Sequence, residues 1–174
     1  MARSPMSTVD ILAILRETPS RLGALTSGAT EAQLTAPPEP GEWSALEVLA
    51  HLRSCADVWG DGISTIVAND HPTIRAVSPT TWIRTTDYRE IAFSVSLRAF
   101  TRRRAHLVAV LDGLRTADWS KSATVLGAGA PLEWTVHHYA ERLARHERAH
   151  LRQVQKAVES VRARGAPFVA VRQV

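Results

Sequence analysis

Residues 135–161 read TVHHYAERLARHERAHLRQVQKAVESV, and the conformation of this tract decides the fold of the chain. Val136, Tyr139, Ala140, Leu143, Val154, Ala157, Val158 and Val161 recur at helical spacing on one side. Arg142, Arg145, Arg148, Arg152, Gln155 and Arg162 fall on the other. The spacing predicts a long amphipathic helix over 134–163. Within it His146-Glu147-Arg148-Ala149-His150 spells H-E-x-x-H, which sets two imidazoles one helical turn apart, within reach of one metal ion. Both lie on the apolar side. A buried imidazole without a partner costs about 1–3 kcal/mol, so the pair needs a metal or, in the bland alternative, bonds to backbone or to each other. Seven histidines in 174 residues give roughly 0.3 accidental pairs at this spacing, and the intervening Glu cuts that about twentyfold. The motif therefore carries more weight than the pair alone.

Upstream, three further helices are expected. Ser7-Thr8-Val9-Asp10 reads as a capping box opening a helix over 7–28, with Ile11, Leu12, Ile14, Leu15, Leu22 and Leu25 as its apolar side. Pro19 should bend or interrupt it, and Glu31 to Leu34 can add a turn. Ala36-Pro37-Pro38-Glu39-Pro40-Gly41 cannot be helical. Ser44-Ala45-Leu46-Glu47 is a second capping box, opening a helix over 45–69 whose stripe is Val48, Leu49, Leu52, Cys55, Ala56, Trp59, Ile63 and Ile66. His51 sits at the edge of that stripe, where a side chain looks sideways into a bundle core. A third helix is expected over 88–114, built on Ile91, Val95, Phe100, Leu107, Val110 and Leu111. Its Arg102-Arg103-Arg104 run has no interleaved aromatics and reads as a solvated face, not a nucleic-acid patch.

Two long connectors separate these helices. His71 to Asp87 carries Pro72 and Pro79 and reads as irregular. Seventeen extended residues reach up to ~56 Å, more than the ~36 Å of a 24-residue helix, so this crossover can leave the second and third helices parallel. Connectors this long usually have work to do, and Trp82 and Arg84 are its candidates for lining a site. The second connector, Thr116 to Leu132, contains Gly127-Ala128-Gly129. With no strand expected before it and Leu132 where a dinucleotide fingerprint needs its last Gly, it is not read as a nucleotide loop. Residues 165–174 read as a tail.

The expectation is an all-α four-helix bundle, one domain over 1–174. If the second and fourth helices are neighbours, His51 completes a three-histidine site with His146 and His150. Composition narrows the setting. No secretory signal is visible in Met1 to Asp10 and no run of 18 apolar residues occurs, so no membrane association is expected. Cys55 is the only cysteine, which excludes an intrachain disulfide and suits a reducing cytoplasm. Net charge is +4, and 19 of the 21 basic residues are Arg, a bias of GC-rich coding more than of phosphate binding. No nucleic-acid partner is expected.

Gly41-Glu42-Trp43-Ser44-Ala45-Leu46-Glu47-Val48-Leu49-Ala50-His51-Leu52 resembles the W-S-x-x-E-V-L-x-H-L segment of the DinB/YfiT-like metalloenzyme family, and His146-Glu147-Arg148-Ala149-His150-Leu151-Arg152-Gln153 resembles its closing H-x-x-x-H-L-x-Q. With helix order, the Pro in the first helix and the Pro-rich connector, the likeness spans most of Ser7 to Lys156; His71 to Phe100 carries no matching motif. The resemblance implies an up-down-down-up bundle holding a divalent metal on three histidines, which map onto His51, His146 and His150. It also implies a homodimer, since DinB-like relatives commonly pair.

Three neutral imidazoles leave a coordination position open, the pattern of a catalytic site. A metal held this way keeps its charge, so it can lower the pKa of water toward ~7 or hold a thiol as thiolate. Zn or Ni is expected, with Fe or Mn as alternatives. Glu147 is the candidate general base or support for the histidines, against a helix-surface salt bridge. Cys55, one turn from His51, reads as packing before nucleophile. The family's thiol-using transferases and isomerases imply transfer of a small thiol, mycothiol-like given the Arg and Ala bias, to a small electrophilic substrate. The alternatives are metal-dependent hydrolysis of a small molecule and a stress-induced metal-binding or interaction module without turnover. A zincin protease is excluded: position 156 is Lys where the extended motif needs His, and no Glu follows Glu159.

Overall fold

The computed structural model describes residues 4–127 and 129–165. Four long helices carry the architecture: α1 (Thr8–Thr26), α3 (Ala45–Ala68), α5 (Phe93–Asp112) and α6 (Val136–Gly165), with short helices α2 (Glu31–Thr35) and α4 (Pro79–Trp82) in the connections. α6 packs against α1 and α3, and α5 packs against the same two from the other side. The helices expected to be neighbours for a shared histidine site are therefore in contact. Near one end Met6 N donates to Glu141 Oε1 (3.2 Å), and near the other Arg162 donates to Ser27 O, joining α1 to α6 along their length. Lys156 meets Glu42 at 2.7 Å while Tyr139 lies against Gly62, joining α6 to α3. Arg53 donates to Ser96 and Arg103 to Asp61, joining α3 to α5.

Local signals place the ends of these helices. Ser7 caps α1, its hydroxyl accepting from Asp10 N. Ser44 and Glu47 form a complete capping box at the start of α3, each side chain bonding the other's backbone N–H. Pro19 does not interrupt α1, which continues to Thr26. The third long helix begins at Phe93, not near 88, because 86–92 pins the crossover instead: the Tyr88 hydroxyl donates to Asp57 (2.6 Å) and Glu31 accepts from Phe93 N. Position 165 is still helical; the rest of the expected tail, 166–174, lies outside the described residues.

The all-α expectation needs correction. Thr73–Arg75 (β1), Ser122–Leu126 (β2) and Leu132–Thr135 (β3) form a three-stranded sheet in that order, β1 parallel and β3 antiparallel to β2. The two connectors read as irregular pair with each other, across some fifty residues of sequence that no local period reveals. β2 alternates inward Ala123 and Val125 with outward Ser122, Thr124 and Leu126. Gly127 and Gly129, with φ of 93° and 100°, turn the β2–β3 hairpin. A strand does precede this glycine pair, contrary to expectation, but an antiparallel strand follows it where a nucleotide fold needs a helix. β3 runs directly into α6 at Val136.

The core forms two apolar clusters, each drawing on all four long helices. One, nearest the sheet, contains Ile11, Trp59, Leu107 and Leu143; the other contains Leu22, Leu49, Phe100 and Val154. Between them in sequence lie buried Thr18 of α1, Arg104 of α5 and Glu147 of α6, while buried His51 of α3 lies within the run of the second cluster. Arg104 is thus not on a solvated face. It is 1 % exposed, on the same stripe as Phe100, Leu107 and Leu111 at helical spacing.

Candidate metal centre

Helix geometry brings the three predicted histidines together. The α3–α6 packing that sets Gly62 against Tyr139 holds His51 opposite the first turn of the H-E-x-x-H motif; a Cβ at position 62 would stand 3.0 Å from the Tyr139 ring. His51 Nε2 lies 2.9 Å from His146 Nε2, and His150 Nε2 lies 3.0 Å from the same atom. Protons alone do not satisfy this arrangement. His146 Nε2 carries either one N–H or one lone pair, so it can serve one neighbour and not two. His150 Nδ1 is bonded to Gln153 Oε1 at 2.7 Å; the amide oxygen accepts, so Nδ1 holds the proton and Nε2 presents a lone pair to the centre. A single cation would accept a lone pair from each of the three. Nitrogens held at ~2.05 Å around a tetrahedral ion stand about 3.3 Å apart, a few tenths of an ångström beyond the spacings here.

Cys55 lies beside two of these imidazoles. Its Sγ is 3.5 Å from His51 Nε2, and the donor atoms of His51, Cys55 and His146 all lie within 4.8 Å of one another. The nitrogen-to-sulfur edge of a tetrahedral zinc site is about 3.6 Å. Cys55 is fully buried, on the core side of the histidines. Burial and the neighbouring Glu147 carboxylate push its thiol well above the ordinary range, so without a metal it is unreactive.

Burial also sets the protonation of the imidazoles. It holds His51 and His146 down to about 4, aided by the charge His150 would carry, and it lowers His150 against the opposing bond from Gln153. All three are neutral at pH 7, the form that binds metal. The indole of Trp43 packs on His51 (ring centroids 5.2 Å) and stacks with His150 (6.3 Å), while Trp59 meets His146 edge-on at 5.1 Å.

The outward face of the histidines opens into a cavity of ≈ 860 Å³, lined also by Trp43, Trp59, Ser78, Pro79, Thr80, His138, Glu141, Arg142 and Arg145. A second cavity of ≈ 470 Å³ adjoins it, sharing Trp59, Ser78, Pro79 and Arg142. Trp82 stands on the wall of the second cavity, its indole N–H donating to Asp57 (3.3 Å). Arg84 sits in the turn that follows, exposed and apart from both cavities. Glu147 is 0 % exposed and bonded to Arg104, so it pairs within the core and not on the helix surface. Burial raises its pKa, against the pull of Arg104 and Thr18. Among the described residues, Glu147 Oε2, Arg104 Nε and Nη1, and His51 Nδ1 are buried without a bonding partner.

Helical spacing set Arg142 and Arg145 on the side opposite the apolar stripe, yet both line the histidine cavity. The signal was present: Arg142 precedes His146 by four residues and His150 by eight, so all three share one column of the helix. Gln153 stood in the quoted motif without a role, and Trp59 was assigned to the core alone.

A family model described as the DinB superfamily matches residues 14–154. The chain belongs to the DinB superfamily. A relative from Geobacillus kaustophilus (strain HTA426), named "Putative metal-dependent hydrolase", is 28% identical over 149 residues, covering 82% of this chain and 79% of its own length. Another of the same name, from Geobacillus thermodenitrificans (strain NG80-2), is 25% identical over 123 residues, covering 67% and 66%. Among solved structures, YfiT from Bacillus subtilis, described as "a probable metal-dependent hydrolase with an unusual four-helix bundle topology", superposes with a TM-score of 0.77 over 95% of this chain and 93% of its own, at 19% identity. That likeness shows the shared bundle fold. Among the described residues, no helix is long and apolar enough to cross a membrane.

Proposed function

We propose that this DinB superfamily member is a divalent-metal-dependent enzyme that transfers a small thiol to an electrophilic substrate at the His51–His146–His150 centre. The end-to-end contacts between helices support an up-down-down-up order, which is what faces His51 toward the H-E-x-x-H turn. The soft sulfur of Cys55 beside His51 and His146 favours Zn over Ni, Fe or Mn. When bound, the metal supplies positive charge that favours ionisation of a thiol, whose free pKa is ~8.5, near neutral pH.

One observation carries the choice of thiol transfer: Glu147, the residue that would take a proton from water, is committed to Arg104 inside the core. The site thus offers a nucleophile a cation and an open cavity, but not the base that an H-E-x-x-H helix supplies for hydrolysis. A thiol needs less help. Its S–H bond breaks with loss of the proton to solvent through the cavity; the sulfur forms a bond to the electrophilic carbon, and the leaving group departs with its electron pair. Trp43 and Trp59 fix the histidine rings, and Gln153 fixes the tautomer of His150.

Hydrolysis of a small molecule is the second reading, favoured by the names of the Geobacillus relatives. The two separate on an electrophile panel assayed with zinc present, with and without small thiols including mycothiol. Turnover that requires a thiol is the expected result; equal turnover without one assigns the site to hydrolysis.

A further inference from the structure

We propose that the substrate is an amphiphilic acid: its carboxylate pairs with Arg142 and its apolar body fills the cavity beyond Trp59. This rests on the reading of the histidine centre as the place of reaction. Trp59 is the partition between the two spaces. Its ring meets His146 on one side at 5.1 Å, and the Arg142 guanidinium lies over it at 4.7 Å. The ring of Trp134 holds the same guanidinium at 5.4 Å. Two indoles thus hold the cation at the boundary between the cavities, prepaying much of the entropy that a long side chain otherwise loses on binding an anion.

Charge around this boundary favours an anion. Asp57 and Asp61, the acids of the second cavity, are both taken by Arg103, at 2.8 and 2.5 Å. Asp57 also accepts from Tyr88 and Trp82. Arg142 has no acidic partner among the described residues, although its neighbour Arg145 is paired with Glu141. Beyond Arg142 the lining turns apolar, with Ile74, Val125, Trp134 and Tyr139 inside and the exposed side chains of Val77 and Trp82 at the rim. A cavity of ≈ 470 Å³ whose lining carries two arginines, Arg142 at the boundary and the exposed Arg75, has the form of a site for a small ligand with one charged end.

Binding of hexanoate and of its neutral match hexanamide, measured by calorimetry on the full chain, tests this. Arg142 is exposed, so Arg142→Gln strands no buried group and should fold normally. The zinc-loaded wild type is expected to bind the acid about tenfold or more tightly than the amide, the range of a charge-assisted hydrogen bond. That preference should vanish in Arg142→Gln. From butanoate to hexanoate, affinity should rise about fourfold per added methylene. A His51→Ala, His146→Ala, His150→Ala variant should keep the preference, which separates failure of this inference from failure of the metal reading. The proposal is overturned if the preference survives in Arg142→Gln, if it disappears with the histidines, or if wild type binds neither ligand at millimolar concentration.

Discussion

At the scale of single residues, burial governs the energetics of the polar groups around the histidines. Arg104 and Glu147 are the extreme case, a fully buried ion pair with three of its polar atoms lacking partners. Removing one partner leaves the other charge uncompensated, so Arg104→Leu should lower unfolding stability by about 3–5 kcal/mol. Arg104→Leu combined with Glu147→Leu should recover most of that loss; urea denaturation of both variants checks it. The histidines give a pH signature. His51 and His146 titrate at about 4 in the fold, below the ordinary value of 6.5. Between those limits the unfolded chain binds more protons than the native one, so stability rises with pH. Metal-free protein should therefore keep this contribution above pH 6.5 and lose it progressively as pH falls to 4, as thermal melts across that range would read. What sequence could show at this scale was the identity of the donors. The pairing of Glu147 was hidden, because its partner lies 43 residues away on a helix whose arginine run looked solvated.

At the scale of elements, helices were legible because their signals are local. The apolar stripes, the Ser44–Glu47 capping box and the H-E-x-x-H register depend only on residues within a few turns of one another. The sheet was not, since β1 meets β2 only after the bundle has brought the two connectors to one end. The 86–92 segment was misplaced for the same reason: the bond of Tyr88 to Asp57 and that of the adjoining Phe93 N to Glu31 are tertiary. The capping box offers an element-scale test, because it fixes the start of α3 less than two turns before His51. Ser44→Ala should cost about 1 kcal/mol in denaturant unfolding.

At the scale of the molecule, two apolar clusters close the bundle at either end, and Thr18, Arg104 and Glu147 fall between them. That layout makes the site a property of the packed bundle: His51 reaches His146 only when α3 lies against α6. It also explains why the three histidines could be nominated from sequence while the cavity could not. Donors announce themselves by residue type, whereas Arg142, Trp59 and Ser78 share a wall only after the crossover has folded back. The centre can be tested most directly by elemental analysis after saturation with zinc and removal of free ion. Wild type should retain about one metal ion per chain, the stoichiometry of a single tetrahedral site, and the His51→Ala, His146→Ala, His150→Ala variant almost none. Equal metal content in the two proteins would contradict a metal centre and leave the histidines as packed core residues.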